Sequence, residues 1–174
     1  MIVDRPESFY IFIYHPSVVY SDASYFIYKG NRLTNKEYLE HWGKWIIVDE
    51  KERLDELAEK LDPYVENKAI PCVKYDRYPL GMFDLGGCVM CIFCDDRERD
   101  EIWEILAGFG ATLKAWVHDR DVVQMWMPGG LILEKWIEEH HLDEKKAQEI
   151  RDDAQMKFDK QFGNEDAFAS GWDQ

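Results

Sequence analysis

Four cysteines, Cys72, Cys88, Cys91 and Cys94, are the residues whose number and spacing first suggest chemistry. Four thiolates are what a tetrahedral zinc or an iron–sulfur cluster takes as ligands. The spacers between the last three, Val89, Met90, Ile92 and Phe93, are apolar and read as a strand. A strand sends Cys88 and Cys94 to one face and Cys91 to the other, so the three do not converge on one ion. Core thiols are therefore the better reading, with a cysteine-ligated metal protein as the last alternative and no cofactor assigned. Crowding three cysteines into one short segment also makes intramolecular disulfides awkward, which fits free thiols in a reducing compartment.

His140 and His141 lie among Glu138, Glu139, Asp143 and Glu144, residue types that ligate divalent ions. Adjacent helical residues point about 100° apart and no fixed spacing completes a site, so this group reads as a solvated helix end. His15 and His41 stand isolated. The chain has no Gly-x-Ser-x-Gly, P-loop or dinucleotide glycine pattern, and Leu85-Gly86-Gly87 precedes a strand, the wrong order for a phosphate-cradling turn. With a net charge of −14, paired carboxylates are expected by composition, and none is singled out as an acid–base pair. The absence of a catalytic constellation leans against an enzyme.

What remains is aromatic and cationic. Seven tryptophans occur, and Trp45, Trp103, Trp116, Trp126 and Trp136 fall on predicted strands and helices, which points mainly to packing. Lys74, Arg77, Lys114 and Arg120 sit near predicted strands and could form an anion-recognising rim, against the competing reading of surface pairing with Asp76, Asp119 and Asp121. The candidate ligand-binding set is Trp45, Lys74, Arg77, Trp116 and Arg120, required to converge on one pocket.

The elements that must position these residues read as an α+β domain. Ser8–Tyr14 and Ser24–Tyr28 are aromatic and β-branched and predict strands. Thr34-Asn35-Lys36-Glu37 has capping-box form ahead of a short helix. Trp45–Val48 predicts a strand, and the stripe Leu54, Leu57, Ala58 and Leu61 a helix stopped by Pro63. Strands follow at Ala69–Tyr75 and Cys88–Cys94, separated by a loop over residues 76–87. Asp95 is expected to cap a helix carrying Ile102, Ile105, Leu106 and Phe109, with a strand at Thr112–Val117 after it. His118–Asp121 reads as a hairpin turn into a further strand, Val122–Met127. Over residues 43–128 the order starts β-α-β-β-α-β, in which two helices pack on one face of an antiparallel sheet. Helices are then expected over residues 130–162, the second capped at Asp143 and striped by Ala147, Ile150, Ala154, Phe158 and Phe162. Residues 1–162 thus form one domain, and the acidic tail 163–174 is expected to be loosely held.

The charge opposes nucleic-acid binding and repels anionic membranes. The N-terminus lacks a basic flank followed by an apolar run, and no apolar stretch of about 18 residues occurs, so a cytoplasmic chain is expected. Gly43-Lys44-Trp45-Ile46-Ile47-Val48, Cys88-Val89-Met90-Cys91-Ile92-Phe93-Cys94-Asp95 and the segment from Trp116 to Trp126 resemble proteins with the translation initiation factor 4E-like fold. The resemblance implies a curved antiparallel sheet with helices on its convex face and a concave face open to a ligand. It does not carry over cap recognition, because no Trp-Glu pair falls on a suitable loop; Trp103-Glu104 lies mid-helix. The favoured function is a non-catalytic accessory or adaptor protein that binds another protein subunit through its aromatic N-terminal region and C-terminal helices. The alternative is a small-molecule or nucleotide-like ligand pocket, catalytic or not, on the concave sheet face. Homo-oligomerisation stays open.

Overall fold

The computed structural model describes residues 1–19, 26–79 and 86–169. Along the chain the elements are β1 (Ile2–Asp4), β2 (Tyr10–Tyr14), α1 (Pro16–Val19), β3 (Ile27–Tyr28), β4 (Asn31–Arg32), α2 (Asn35–His41), β5 (Trp42–Asp49), α3 (Lys51–Glu66), β6 (Cys72–Asp76), β7 (Cys88–Asp95), α4 (Arg99–Gly108), β8 (Trp116–His118), α5 (Asp119–Met125), α6 (Leu131–Glu139) and α7 (Glu144–Phe162). The fold is α+β. Six strands form one sheet in the order β1-β2-β6-β7-β5-β8, and every neighbouring pair is antiparallel. The β3–β4 hairpin turns on Lys29 (φ 48) and Gly30 (φ 77), the two positive φ values that a tight two-residue turn needs.

Side-chain alternation gives the sheet two different faces. On one, Ile11 and Ile13 of β2, Val73 and Tyr75 of β6, Met90 and Ile92 of β7 and Trp45 of β5 pack against Leu54, Ala58, Leu61 and Val65 of α3 and Ile102 and Leu106 of α4. Each such leucine or isoleucine, fully buried, stabilises the fold by about 1.5–3 kcal/mol before entropy is counted. At one end of the opposite face, α2, α5 and the β3–β4 hairpin build a second core of Phe26, Leu33, Tyr38, Trp42, Val123, Phe162 and Ala169. The capping box at Thr34 is formed: its hydroxyl accepts from the Glu37 N–H (3.2 Å) and Glu37 accepts from the Thr34 N–H (2.9 Å). A third cluster, Leu133, Ile137 and Ala147, joins α6 to α7, with Arg151 donating to Glu134 at 2.8 Å.

Several expectations are corrected. Val122–Met127 is not a strand, since α5 occupies residues 119–125. The β-branched run suggested sheet, but the buried Asp119 carboxylate is drawn to Lys44 at 2.9 Å, which turns the chain across the sheet, and a helix then buries Val123. The preceding strand is only three residues long. Pro63 does not stop α3; the helix runs on to Glu66, because its last turn buries Val65 completely. Asp95 ends β7 and Glu98 is the N-cap of α4 without a side-chain cap bond, while Asp95 is held by Arg97. Residues 164–169 are docked rather than loose: Ala169 N–H donates to Leu33 C=O (3.1 Å), and the Asn35 amide donates to Gln161 and Asn164 carbonyls (2.9 Å each). The α7 stripe is consumed inside the chain, its first half on α6 and Phe158 and Phe162 on the second core. Strand β1 was not anticipated. Parts of the expected strand at Ser24–Tyr28, the 76–87 loop and the tail lie outside the described residues.

Candidate functional site

The five residues proposed from sequence do not converge. Trp45 is 2% exposed and points to the helix side, packed at ring-centroid distances of 4.9 Å from Trp103 and 5.3 Å from Trp116. Trp116, paired with Trp45 across β5 and β8, shares that side. Lys74 is on the opposite face. Arg77 lies just past β6, held by the Ser8 carbonyl (2.8 Å), the Arg5 carbonyl (2.6 Å) and the Asp4 carboxylate. Arg120 is exposed on α5, 3.8 Å from Asp121. Only Trp45 and Trp116 meet, and Lys114 stands beside them with its ammonium 5.7 Å from the Trp45 ring centroid.

The more coherent surface is the sheet face away from α3 and α4. Register places its side chains in three rows: Tyr10, Asp76, Val89 and Val48; Phe12, Lys74, Cys91 and Ile46; and Tyr14, Cys72, Phe93, Lys44 and Val117. Except for the buried Asp76 and Cys72, all are half-buried. Three rings therefore line β2, with Phe12 and Tyr14 stacked at 5.2 Å and Tyr10 edge-on to Phe12 at 6.4 Å. The Lys74 ammonium is 4.4 Å from the Tyr10 ring centroid, within cation–π range. Lys44 stands 5.2 Å from the Phe93 ring centroid and is paired to Asp119 at 2.9 Å; Asp119 also accepts from the Tyr38 hydroxyl at 3.1 Å. Asp76 accepts from the Val89 N–H at 2.8 Å.

Burial, with Asp76 and Cys91 beside it, raises the Tyr10 phenol, and burial raises the thiols of Cys72 and Cys91 although Lys44 or Lys74 pulls the other way. The face offers stacking surface, the Lys74 ammonium, the Asp119-paired Lys44 ammonium and protonated thiols, which suits binding and supplies no activated nucleophile among the described residues. Cys88 and Cys94 are buried on the other side of β7, and burial raises their thiols too. The four cysteines thus do not form a metal centre.

One arrangement went unforeseen. Asp96 accepts from His41 Nδ1 (2.9 Å) on one oxygen and His118 Nε2 (3.0 Å) on the other, tying α2 and β8 to the end of β7. Desolvation pushes the Asp96 carboxyl up, but the bonds from His118 and His41 together outweigh it and hold it below its ordinary value. Ligand atoms of His41, Asp95 and Asp96 lie within 4.8 Å of one another, as a divalent ion would want. Both Asp95 oxygens, however, are taken by the Arg97 guanidinium at 2.8 and 2.7 Å, so the cluster reads as a clamp. His140, by contrast, stacks on Trp136 at 3.9 Å in solvent. The partners of Asp96 lie 55 and 22 residues away, and no local spacing announces them.

Among the described residues no helix is long and apolar enough to cross a membrane. No known protein family, curated protein or solved structure gives a significant match to this chain.

Proposed function

We propose that this chain is a non-enzymatic binding protein whose sheet face opposite α3 and α4 takes up a small planar ligand, nucleobase-like in shape, with an acceptor group set against Lys74. The observation that carries this reading is the row Phe12, Lys74, Cys91, Ile46: an ammonium in the middle of a half-buried apolar and aromatic surface, with no carboxylate within 4 Å among the described residues. Apolar walls with a few placed polar groups are the usual make-up of small-molecule sites. A 4E-like reading of residues 43–128 agrees with it, since that fold leaves the face opposite its helices for a ligand. Calorimetric titration with nucleoside monophosphates tests the proposal. We expect saturable binding that Lys74→Met weakens about tenfold, a loss of roughly 1.4 kcal/mol. No binding at millimolar ligand, or binding indifferent to Lys74→Met, refutes it.

The accessory-protein reading has a different support. With the α7 stripe spent inside the chain, Met125 (39% exposed), Trp126 (45%) and Leu131 (74%) remain as apolar surface around the α5–α6 turn. A subunit that co-purifies from the native source and is lost on Trp126→Ser with Leu131→Ser supports that reading; its retention argues against it.

A further inference from the structure

On the helix side of the sheet, the start of α4 and the approach to β8 flank a shallow, open cleft of about 240 Å³ lined by Trp45, Arg99, Asp100, Lys114 and Trp116. Its charged lining is two cations and one carboxylate, a local positive excess in a chain of net charge −14. The carboxylate does not neutralise it: Asp100 approaches Arg99 only at 3.8 Å and its side chain is 79% exposed, the geometry of a weak surface pair. Lys114 has no carboxylate within 4 Å among the described residues.

Both cations stand beside tryptophan. The Arg99 guanidinium stands 5.7 Å from the Trp116 ring centroid, and the Lys114 ammonium 5.7 Å from the centroids of both Trp45 and Trp103. The rings are themselves fixed. The Trp45 indole N–H donates to the Arg99 carbonyl at 2.9 Å, which ties the cleft floor to the residue that carries the guanidinium. Trp116 lies over Gly43 so closely that a Cβ there would come within 2.6 Å of the indole. Two exposed cations facing fixed aromatic walls, and short of counter-charge, suit an oxyanion, because each can donate a charge-assisted hydrogen bond to it.

We infer that this cleft binds a small phosphate-bearing ligand, its oxyanion held between Arg99 and Lys114 and any ring it carries set against Trp116. The site uses no residue of the opposite sheet face, so either site can fail alone. The test is titration of the full chain with phenyl phosphate and, in parallel, inorganic phosphate, followed by ¹H–¹⁵N chemical-shift changes including the indole N–H signals. Phenyl phosphate is expected to saturate shifts at Trp45 and Trp116. Arg99→Gln with Lys114→Gln, both surface changes compatible with folding, is expected to raise its dissociation constant at least about tenfold while Lys74→Met leaves it unchanged. Tighter binding of phenyl phosphate than of inorganic phosphate identifies a ring-bearing phosphomonoester, and equal binding identifies the bare oxyanion. The inference is overturned if neither probe shifts those signals at 10 mM, about the weakest affinity worth the name of a site, or if the Arg99 and Lys114 substitutions leave the affinity as it was.

Discussion

Removing the Asp119 carboxylate is the perturbation that probes the fold most directly. Lys44 and Asp119 are 15% and 11% exposed, and the pair joins β5 to the first turn of α5 at 2.9 Å. Asp119→Ala leaves the Lys44 ammonium without its counter-ion and takes an acceptor from the Tyr38 hydroxyl. Breaking a buried pair from one side costs about 3–5 kcal/mol, and the residual exposure puts this one at the lower end, about 3 kcal/mol. With a urea m-value of about 2 kcal/mol/M, the midpoint should fall by roughly 1.5 M. Lys44→Met should cost a similar amount, whereas Lys44→Met with Asp119→Leu, which removes both charges, should return to within about 1 kcal/mol of the parent. Urea denaturation followed by tryptophan fluorescence measures all three. A loss below about 1 kcal/mol for Asp119→Ala, or a double variant as costly as the two singles summed, would refute the reasoning.

Gly43→Ala should destabilise by about 1–3 kcal/mol, read as a lower melting temperature, because the added Cβ would sit 2.5 Å from the Val117 carbonyl oxygen and 2.6 Å from the Trp116 ring. Asp96 has a folded-state pKa below its unfolded one, so its contribution is complete above the ordinary carboxylate range and is lost as pH falls through the depressed value. Urea midpoints of the parent and Asp96→Asn should therefore be fully separated at neutral pH, begin to approach each other only below about pH 4, and converge at more acid pH. Iodoacetamide followed by intact-mass measurement should leave Cys72, Cys88 and Cys94 unmodified in native protein, and Cys91 slow to react, because burial raises every thiol; prompt modification of any of them contradicts the description of the two sheet faces.

What the sequence discloses here is what local physics decides. The Thr34 capping box, the Leu54–Leu61 stripe of α3, the Asp143 cap of α7 and the apolar strand β7 each follow from residues close together in the chain. Opposite facing of Cys91 and Cys88 follows from strand alternation alone. Asp119 is different: its pull on Lys44, 75 residues away, is tertiary, so the run beginning at Val122 looks like a strand until that contact is known. Pro63 marks a stop by propensity, yet burial of Val65 carries α3 past it. The candidate site was half legible. Lys74 and Trp116 could be named as cationic and aromatic, but which face each occupies depends on the pairing of β6 with β7 and of β5 with β8. The Asp96 clamp left no local trace at all.

The attachment of residues 164–169 to the Leu33–Asn35 segment also sets a schedule for biosynthesis. The second core needs Phe162 and Ala169 alongside Phe26, Leu33 and Tyr38, and its closing contact is the bridge between Thr34 and Phe168. Chains emerge from the ribosome amino end first. The fully buried residues of the core under α3 and α4 run no further than Leu106, with Phe109, Ala111 and Trp116 packing on it directly afterwards, so it can consolidate while synthesis continues. The layer formed by α2, α5 and the hairpin must wait until residue 169 has left the exit tunnel. Throughout that interval Tyr38 and Trp42 lack their final cover, which makes the nascent chain, rather than the finished protein, the form most in need of a chaperone.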